Sequence, residues 1–429
     1  MKKRDNANNR LESASPMPKP RRVGLAVDFH LLFKRHSEVF AGIQRYADEA
    51  GWVTIVDDMI VGALADAKPG HAAYDGVIAR IGAELVQAAE GWTRAGVPLV
   101  NVLASSPIRD RLPSVFPDFE EVGRLRAEHL MSRGLRHFAC SVIRGSIATE
   151  CDAAAFASAV TAAGYSVTRL ELSETWADTL PLYRQNTATI RKWIEGWDLP
   201  IGVASSTDVF ARIMAQICQE RGLRVPEDVA IVGGQNEERL CEMPRPALTS
   251  VEIGYARIGY EAARLLDELM DETEKAPRHK GNSTKRSARS AAARTSPKHV
   301  ILPPVGIVVR ESTDFIVTSE KVVAQAQAYI TAHCHTHLEV TDVAANVGVS
   351  PKTLQTRFAE TLRRTVAQEI RRVRIEKAKR ELAGGTRSIE EIAQRAGFTS
   401  ATRLGEVFKR EVGVTPREYR RERKTQGNA

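Results

Sequence analysis

No apolar run in the 429 residues approaches the roughly 20 that a helix needs to cross a bilayer, so no membrane span is expected. The basic stretch Met1–Arg22 has no apolar segment behind it, which argues against a secretory signal and predicts a cytoplasmic protein. Cysteine is scarce. Cys140, Cys151, Cys218, Cys241 and Cys334 contain no C-x-x-C pair, so they read as reduced thiols placed mostly in cores. Catalytic signatures are missing as well: no G-x-x-x-x-G-K-[ST] loop, no nucleophile elbow, no H-E-x-x-H and no paired Cys/His site. An aspartate after a strand has nothing around it that assembles a reaction, so no enzyme and no cofactor are predicted. The cluster His333-Cys334-His335-Thr336-His337 is rich in metal-binding side chains. Adjacent residues of a helix point in different directions, however, and a closed zinc site needs four convergent ligands, so it reads as a polar helix end.

Acidic residues are absent from one segment and abundant in another. Residues 275–299 hold eight Lys/Arg and no Asp/Glu, and residues 340–429 hold 20 against 11. Residues 1–22 hold seven against two, whereas residues 23–274 hold 24 against 36. A basic tail, an acidic body, a basic insertion and a basic end follow one another, which predicts that the C-terminal part meets a polyanion.

Residues 1–22 lack periodicity and read as a disordered tail. From Val23 short β runs alternate with helical stretches: strands near 23–27, 53–56, 74–79, 97–102, 138–143, 166–170, 200–205 and 229–234, with helices near 39–50, 83–95, 121–132, 151–163, 187–196 and 209–221. In the helix over 121–132, Val122, Leu125, His129 and Leu130 are expected inward. Alternation of this kind predicts parallel sheets covered on both faces, here two α/β halves with a cleft between them. Ligands of such folds sit beyond the carboxyl ends of the strands, which points at Asp28, Asp118, Thr207, Asp208, Gln235 and Asn236. Their carboxylates, hydroxyl and amides suit a polyhydroxylated ligand; the alternative for each is capping of the following helix. Lys, Arg, Ser and Ala over 275–299 lack an apolar face and read as a disordered insertion, either a solvated loop or a nonspecific contact to phosphates.

The C-terminal region repeats one device. A helix is expected from Ser319 to His333. Residues 340–358 then give a short helix, a turn at Gly348, a cap at Ser350, Pro351 in the first helical position, and Leu354 and Phe358 facing inward. Residues 389–410 give a second short helix, a turn at Gly397, a cap at Thr399 or Ser400, and an inward face of Leu404, Val407 and Phe408. A stripe of Val366, Ile370, Val373, Ala378 and Leu382 joins them as one helix. Each unit is a helix-turn-helix, although a lone one would equally suit an ordinary helical hairpin. The outward residues Lys352, Thr353, Gln355, Thr356 and Arg357 in the first, and Ser400, Thr402, Arg403, Glu406, Lys409 and Arg410 in the second, are the candidate DNA contacts.

The run Val225–Asn236, continuing to Pro246–Val251, is similar to sugar-responsive repressors of the LacI/GalR type, whose effector domain resembles a periplasmic sugar-binding protein. The run Ile301-Leu302-Pro303-Pro304 with Arg310-Glu311-Ser312-Thr313-Asp314 resembles the close of that domain in the xylose-operon regulator group. The paired units and the ending Gly413-Val414-Thr415-Pro416 with Tyr419-Arg420 resemble the AraC/XylS type. The resemblance covers about residues 23–420. It implies an effector domain over 23–318, a DNA-binding domain over 319–429, a double-stranded DNA operator, a small-molecule effector such as a sugar, a homodimer, and RNA polymerase as a further partner. Departures fall on expected ligand contacts. Thr149-Glu150-Cys151-Asp152 stands where an arginine is usual, placing Asp152 at the site, and Gly234-Gln235-Asn236 replaces glycine-aspartate-asparagine. Arg363 and Val366 stand where the AraC type often has Gly and Pro, Leu404 replaces a usual Phe, and Gly405 lies inside the second recognition helix. Two other readings stand beside the ligand-responsive regulator: one whose effector domain has lost sugar binding and serves only dimerisation, and a transport sugar-binder.

Overall fold

The computed structural model describes residues 19–28, 33–56, 73–173, 180–243, 245–275, 297–315, 320–384 and 387–427. Nearly all of the expected tail and insertion lie outside these residues. Lys275 closes a helix and His299 opens a strand at the two ends of that insertion.

The chain forms two compact units, Met1–Phe116 with Tyr255–Val300, and Pro117–Gly254 with Ile301–Ala429. In the first, β1 (Arg22–Ala26), β2 (Val53–Val56), β3 (Gly76–Ala79) and β4 (Leu99–Asn101) are joined by parallel pairings. With β5 (Ser114–Pro117) and β11 (His299–Leu302), the sheet order is β11-β5-β4-β3-β1-β2. Strands β3, β4 and β5 are buried throughout, as expected of a sheet covered on both faces. Helices α1 (Lys34–Ala50) and α2 (Val86–Ala95) both end on glycines in the left-handed region, Gly51 and Gly96, where a side chain would be strained. Trp92 of α2 is wholly buried among Val77, Ala79 and Leu99.

The second unit repeats the architecture. Helix α3 (Phe119–Ser132) leads to β6 (His137–Ile143), α4 (Ile147–Ala162), β7 (Val167–Leu172), α5 (Leu180–Glu195), β8 (Ile201–Ala204), α6 (Asp208–Glu220), β9 (Val229–Gly233), the short α7 (Glu238–Glu242) and β10 (Thr249–Glu252). The order is β12-β10-β9-β8-β6-β7, with β12 (Gly306–Val308) antiparallel on β10. Phe210, Met214 and Ile217 of α6 pack on Val203, Val229 and Ile231, an i, i+4, i+7 stripe meeting a fully apolar sheet face.

Two alternating halves are read from the sequence, but the chain does not simply finish one and begin the other. Helix α8 (Tyr255–Lys275), which the sequence reading passes over, belongs to the first unit. It crosses α1 so closely that a Cβ on Gly42 would lie 1.9 Å from the Ala256 carbonyl oxygen, and one on Gly259 1.9 Å from that of Val39.

The all-α part of the second unit holds α9 (Lys321–His333), α10 (Val340–Asn346), α11 (Pro351–Leu362), α12 (Val366–Gly384), α13 (Ile389–Arg395), α14 (Ala401–Val412) and α15 (Pro416–Gly427). Two separate small cores result. Val323, Ile330, Val343, Leu354, Phe358 and Ile370 fill one; Ile375, Leu382, Ile392, Leu404 and Phe408 fill the other. Cys334 belongs to the first core, while His333, His335 and His337 are exposed.

Candidate functional site

The two helix-turn-helix units are built by the same local rules. In the first, the Glu339 and Asp342 side chains and backbones cap α10 reciprocally; in the second, Ser388 and Glu391 do the same for α13. Gly348 (φ 70°) and Gly397 (φ 82°) make the two turns. Ser350 then accepts from the Thr353 N–H at 3.1 Å, and Ser400 from the Arg403 N–H at 3.1 Å, opening the second helix of each unit. These second helices present unlike surfaces. On α11, Lys352, Gln355 and Thr356 are exposed; Thr353 is half-buried beside its cap, and Arg357 is bound to Glu320 at 2.8 Å. On α14, Thr402, Arg403, Glu406, Lys409 and Arg410 are exposed, with Arg403 reaching Glu406 at 2.9 Å and Ser400 half-buried at the cap.

One junction ties this helical part to the α/β part of the same unit. Arg372 of α12 binds Asp314, at the end of the α/β chain, and Glu369 one turn earlier at 2.8 Å. Glu369 is only 2% exposed and also meets Arg364 at 3.0 Å. Burial by itself would lower the Arg372 pKa; the hydrogen bond and charge of Glu369 and Asp314 more than offset it and hold the guanidinium above its ordinary value. Next to this junction His129 of α3 lies 2.8 Å from the Thr313 hydroxyl.

In the second sheet the strand order reverses between β6 and β8, so the crevice at the carboxyl ends lies there. Ser141 of β6 donates to Ser206 beyond β8 at 3.2 Å. Thr207, Asp208, Gln235 and Asn236 are brought together at this edge, although not as four free ligand contacts. The sequence places Asp208 among those contacts; the structure spends both its oxygens internally. Oδ1 accepts from the Gly234 N–H at 2.8 Å and the Ser250 hydroxyl at 2.6 Å, and Oδ2 from the N–H groups of Gln235 at 3.2 Å and Glu237 at 2.8 Å. A carboxylate has about four acceptor positions, so Asp208 pins the loop after β9 instead of offering an oxygen to a ligand. Thr207 caps α6 through the Phe210 N–H at 3.2 Å, and Asp118 caps α3 through the Glu121 N–H at 2.9 Å, the alternative role open to both.

Asp152, Gln235 and Asn236 behave differently. Asp152 is 5% exposed and binds Arg126 of α3 at 2.8 Å, leaving its Oδ1 buried without a partner. Burial outweighs the pull of Arg126 and pushes its carboxyl up to about 6. Arg126 also donates to the Ser205 carbonyl at 3.0 Å, and its Nε is unpartnered too. Asn236 takes the left-handed conformation (φ 50°) and donates to Glu252 at 2.7 Å, with its own buried Oδ1 unmet. Gln235 is half-buried. Sequence reasoning misses Arg126, although Val122, Arg126 and Leu130 fall on one i, i+4 stripe and all three are buried. Leu125 and His129, expected inward, are half-buried. In the first unit Asp28, left-handed at φ 55°, is bound to Arg80 at 2.9 Å.

Comparison with known proteins fits both parts of this geometry. A family model described as a periplasmic binding protein-like domain matches residues 127–313, and one described as a helix-turn-helix domain matches residues 343–422. The chain thus carries a stretch similar to periplasmic binding proteins followed by one similar to helix-turn-helix domains. The xylose operon regulatory protein of Escherichia coli K12 is 32% identical over 228 residues, 53% of this chain and 53% of that protein. That of Haemophilus influenzae is 30% identical over 53% of this chain and 54% of its own length. The chain thus spans about half the length of the curated relatives it matches. A solved structure of a xylose-binding transcription activator aligns with 94% of this chain and 98% of its own, at 25% identity and a TM-score of 0.64. The helix-turn-helix match covers α11 to α14, and the binding-protein-like match covers the second sheet. No helix among the described residues is long and apolar enough to cross a membrane.

Proposed function

We propose that the protein is a sugar-responsive, sequence-specific DNA-binding transcription regulator. The observation that carries this reading is the pair of separately cored helix-turn-helix units, each opened by a capping box, joined by the single helix α12, in the same chain as a stretch similar to periplasmic binding proteins. Helices α11 and α14 enter successive major-groove segments, about 34 Å apart on one face of the duplex. Lys352 and Lys409 with Arg410 neutralise phosphates; Gln355 reads adenine, Arg403 guanine, and Glu406 accepts from cytosine. Thr353, Thr356, Arg357, Ser400 and Thr402 complete the contact set at the helix starts. Arg357 must first leave Glu320, so its share is smaller.

The effector binds at strand carboxyl ends, with Asp152, Gln235 and Asn236, and the missed Arg126, as its contacts in the second unit. Each unmet buried atom there costs about 1–3 kcal/mol, a cost that a hydroxyl-bearing ligand removes. The protein works in the cytoplasm as a homodimer with RNA polymerase as a partner, and it is not an enzyme. Effector binding changes DNA affinity, and DNA binding changes effector affinity by the same factor.

Fluorescence anisotropy of the full chain on a labelled promoter fragment, with and without pentoses and hexoses, tests this. Sugar-dependent affinity is expected. DNA binding without any sugar response would favour an effector domain reduced to dimerisation, and no DNA binding at all would reject the regulator.

A further inference from the structure

The first sheet also reverses its strand order, between β1 and β3, so its crevice lies at the residues that follow those two strands. Those residues form a positively charged cluster that the sequence reading, which reaches only Asp28, does not contain. Arg80 follows β3, its side chain 16% exposed, and its Nη1 lies 2.9 Å from Asp28 and 2.9 Å from His36 Nε2. Arg35 Nε donates to the same imidazole nitrogen at 3.0 Å. His36 is buried and its Nδ1 lies 2.8 Å from the Val27 carbonyl. Arg80 Nη1 lies 3.0 Å from that same Nδ1 as well.

Two guanidiniums converge on one imidazole, and Asp28 is bonded to only one of them. Arg35 has no carboxylate partner among the described residues; its other neighbour is the Phe33 ring, 5.2 Å from its centre. Both groups stand at the start of α1, whose first turn holds no acidic residue and whose N-cap Phe33 makes no side-chain cap. A helix start carries partial positive charge of its own, so it adds to the excess. Burial and repulsion from Arg35 hold the Arg80 guanidinium down at about 10, against the weaker pull of Asp28, Tyr255 and Glu84. Two arginines gathered at a strand-order reversal, one of them without a carboxylate partner among the described residues, suit an anionic ligand.

We propose that this edge is an anion subsite, and that the effector is an acidic sugar whose carboxylate is held by Arg80 with Arg35. The proposal rests on the sugar-sensing reading above. A neutral sugar offers hydroxyls, which leave the excess charge in place. A carboxylate brings one negative charge and two oxygens that match the planar guanidinium. A phosphate ester shares the oxyanion chemistry but carries up to two charges, where Arg35 lacks a single counter-charge.

Isothermal titration of the full chain with a pentonate, a hexuronate, their neutral parent sugars, a pentose phosphate and inorganic phosphate tests this. A sugar acid should bind at least about 30-fold more tightly than its neutral parent. Arg35→Gln should cost about tenfold for the acid and leave the neutral sugar unchanged, and Arg80→Gln should cost more, with thermal melts reporting folding. Equal affinity for acid and neutral sugar, insensitive to Arg35→Gln, would overturn the anion subsite while leaving sugar sensing intact. Heat from none of the sugars, on a chain that still binds DNA, would overturn both. Preference for the pentose phosphate over the acids would support the anion subsite and overturn its assignment to a carboxylate. Inorganic phosphate binding as tightly as any sugar would overturn a sugar-borne anion.

Discussion

Gly348 and Gly397 occupy equivalent turns, yet they are not equally replaceable. Both have positive φ, which costs another residue about 1–2 kcal/mol. Around Gly348 a Cβ would meet nothing within 4 Å; at Gly397 it would lie 2.0 Å from the Cys334 carbonyl oxygen, which already accepts from Arg374 at 2.9 Å. Chemical denaturation of Gly348→Ala should therefore show a loss of about 1 kcal/mol, and of Gly397→Ala at least about 3 kcal/mol. Equal losses would mean that the second turn does not pack against Cys334 of the first helical core. His129 supplies a pH test. Burial, then repulsion from Arg133, lowers its pKa from 6.5 to about 4. The unfolded chain takes up this proton first, so the stability it contributes is present above pH 6.5 and is lost as pH falls from there to about 4. Melts of His129→Gln should lose up to about 3 kcal/mol less than the parent chain over that window. Parallel acid limbs for the two proteins would show that His129 titrates normally.

Among the elements, the crossing of α1 and α8 depends on Gly42 and Gly259 lying against each other's backbones. Gly42→Ala should destabilise the first unit by about 2 kcal/mol or more, read as a lowered midpoint in denaturant. Legibility in the sequence follows the range of the interaction. The recognition units were readable because caps, turn glycines and the i, i+4 apolar pairs act within a few residues. Eight strands were readable from their apolar runs, with ends shifted by a residue or two, whereas β5, β10 and β12 were not read. Helix α8 has apolar residues at helical spacing, but no local feature says that it returns to the first sheet. Asp208 looks like a ligand contact because its four donors lie 26 to 42 residues ahead. Arg126 and Arg80 escape notice for the same reason: an arginine reads as surface until its distant carboxylate is placed beside it.

For the whole molecule, the chain passes between its two units three times, at residues 117, 255 and 301, so neither unit is a continuous stretch. Arg372 stands where the helical part meets Asp314 of the α/β part. Arg372→Met should leave DNA affinity without ligand within about threefold, yet shrink the ratio of affinities with and without effector; an unchanged ratio would remove this junction from the coupling. Two helices of one chain, α11 and α14, are expected to read DNA together. Anisotropy of the full chain on an operator fragment, across a salt series, tests it most directly when run beside Lys352→Ala/Gln355→Ala and Arg403→Ala. With six or more phosphates neutralised, log affinity should fall against log salt with a slope of about −5 or steeper, and each variant should lose about tenfold or more. A flat salt response, or a variant of either helix that binds like the parent chain, would show that the two helices do not read DNA together.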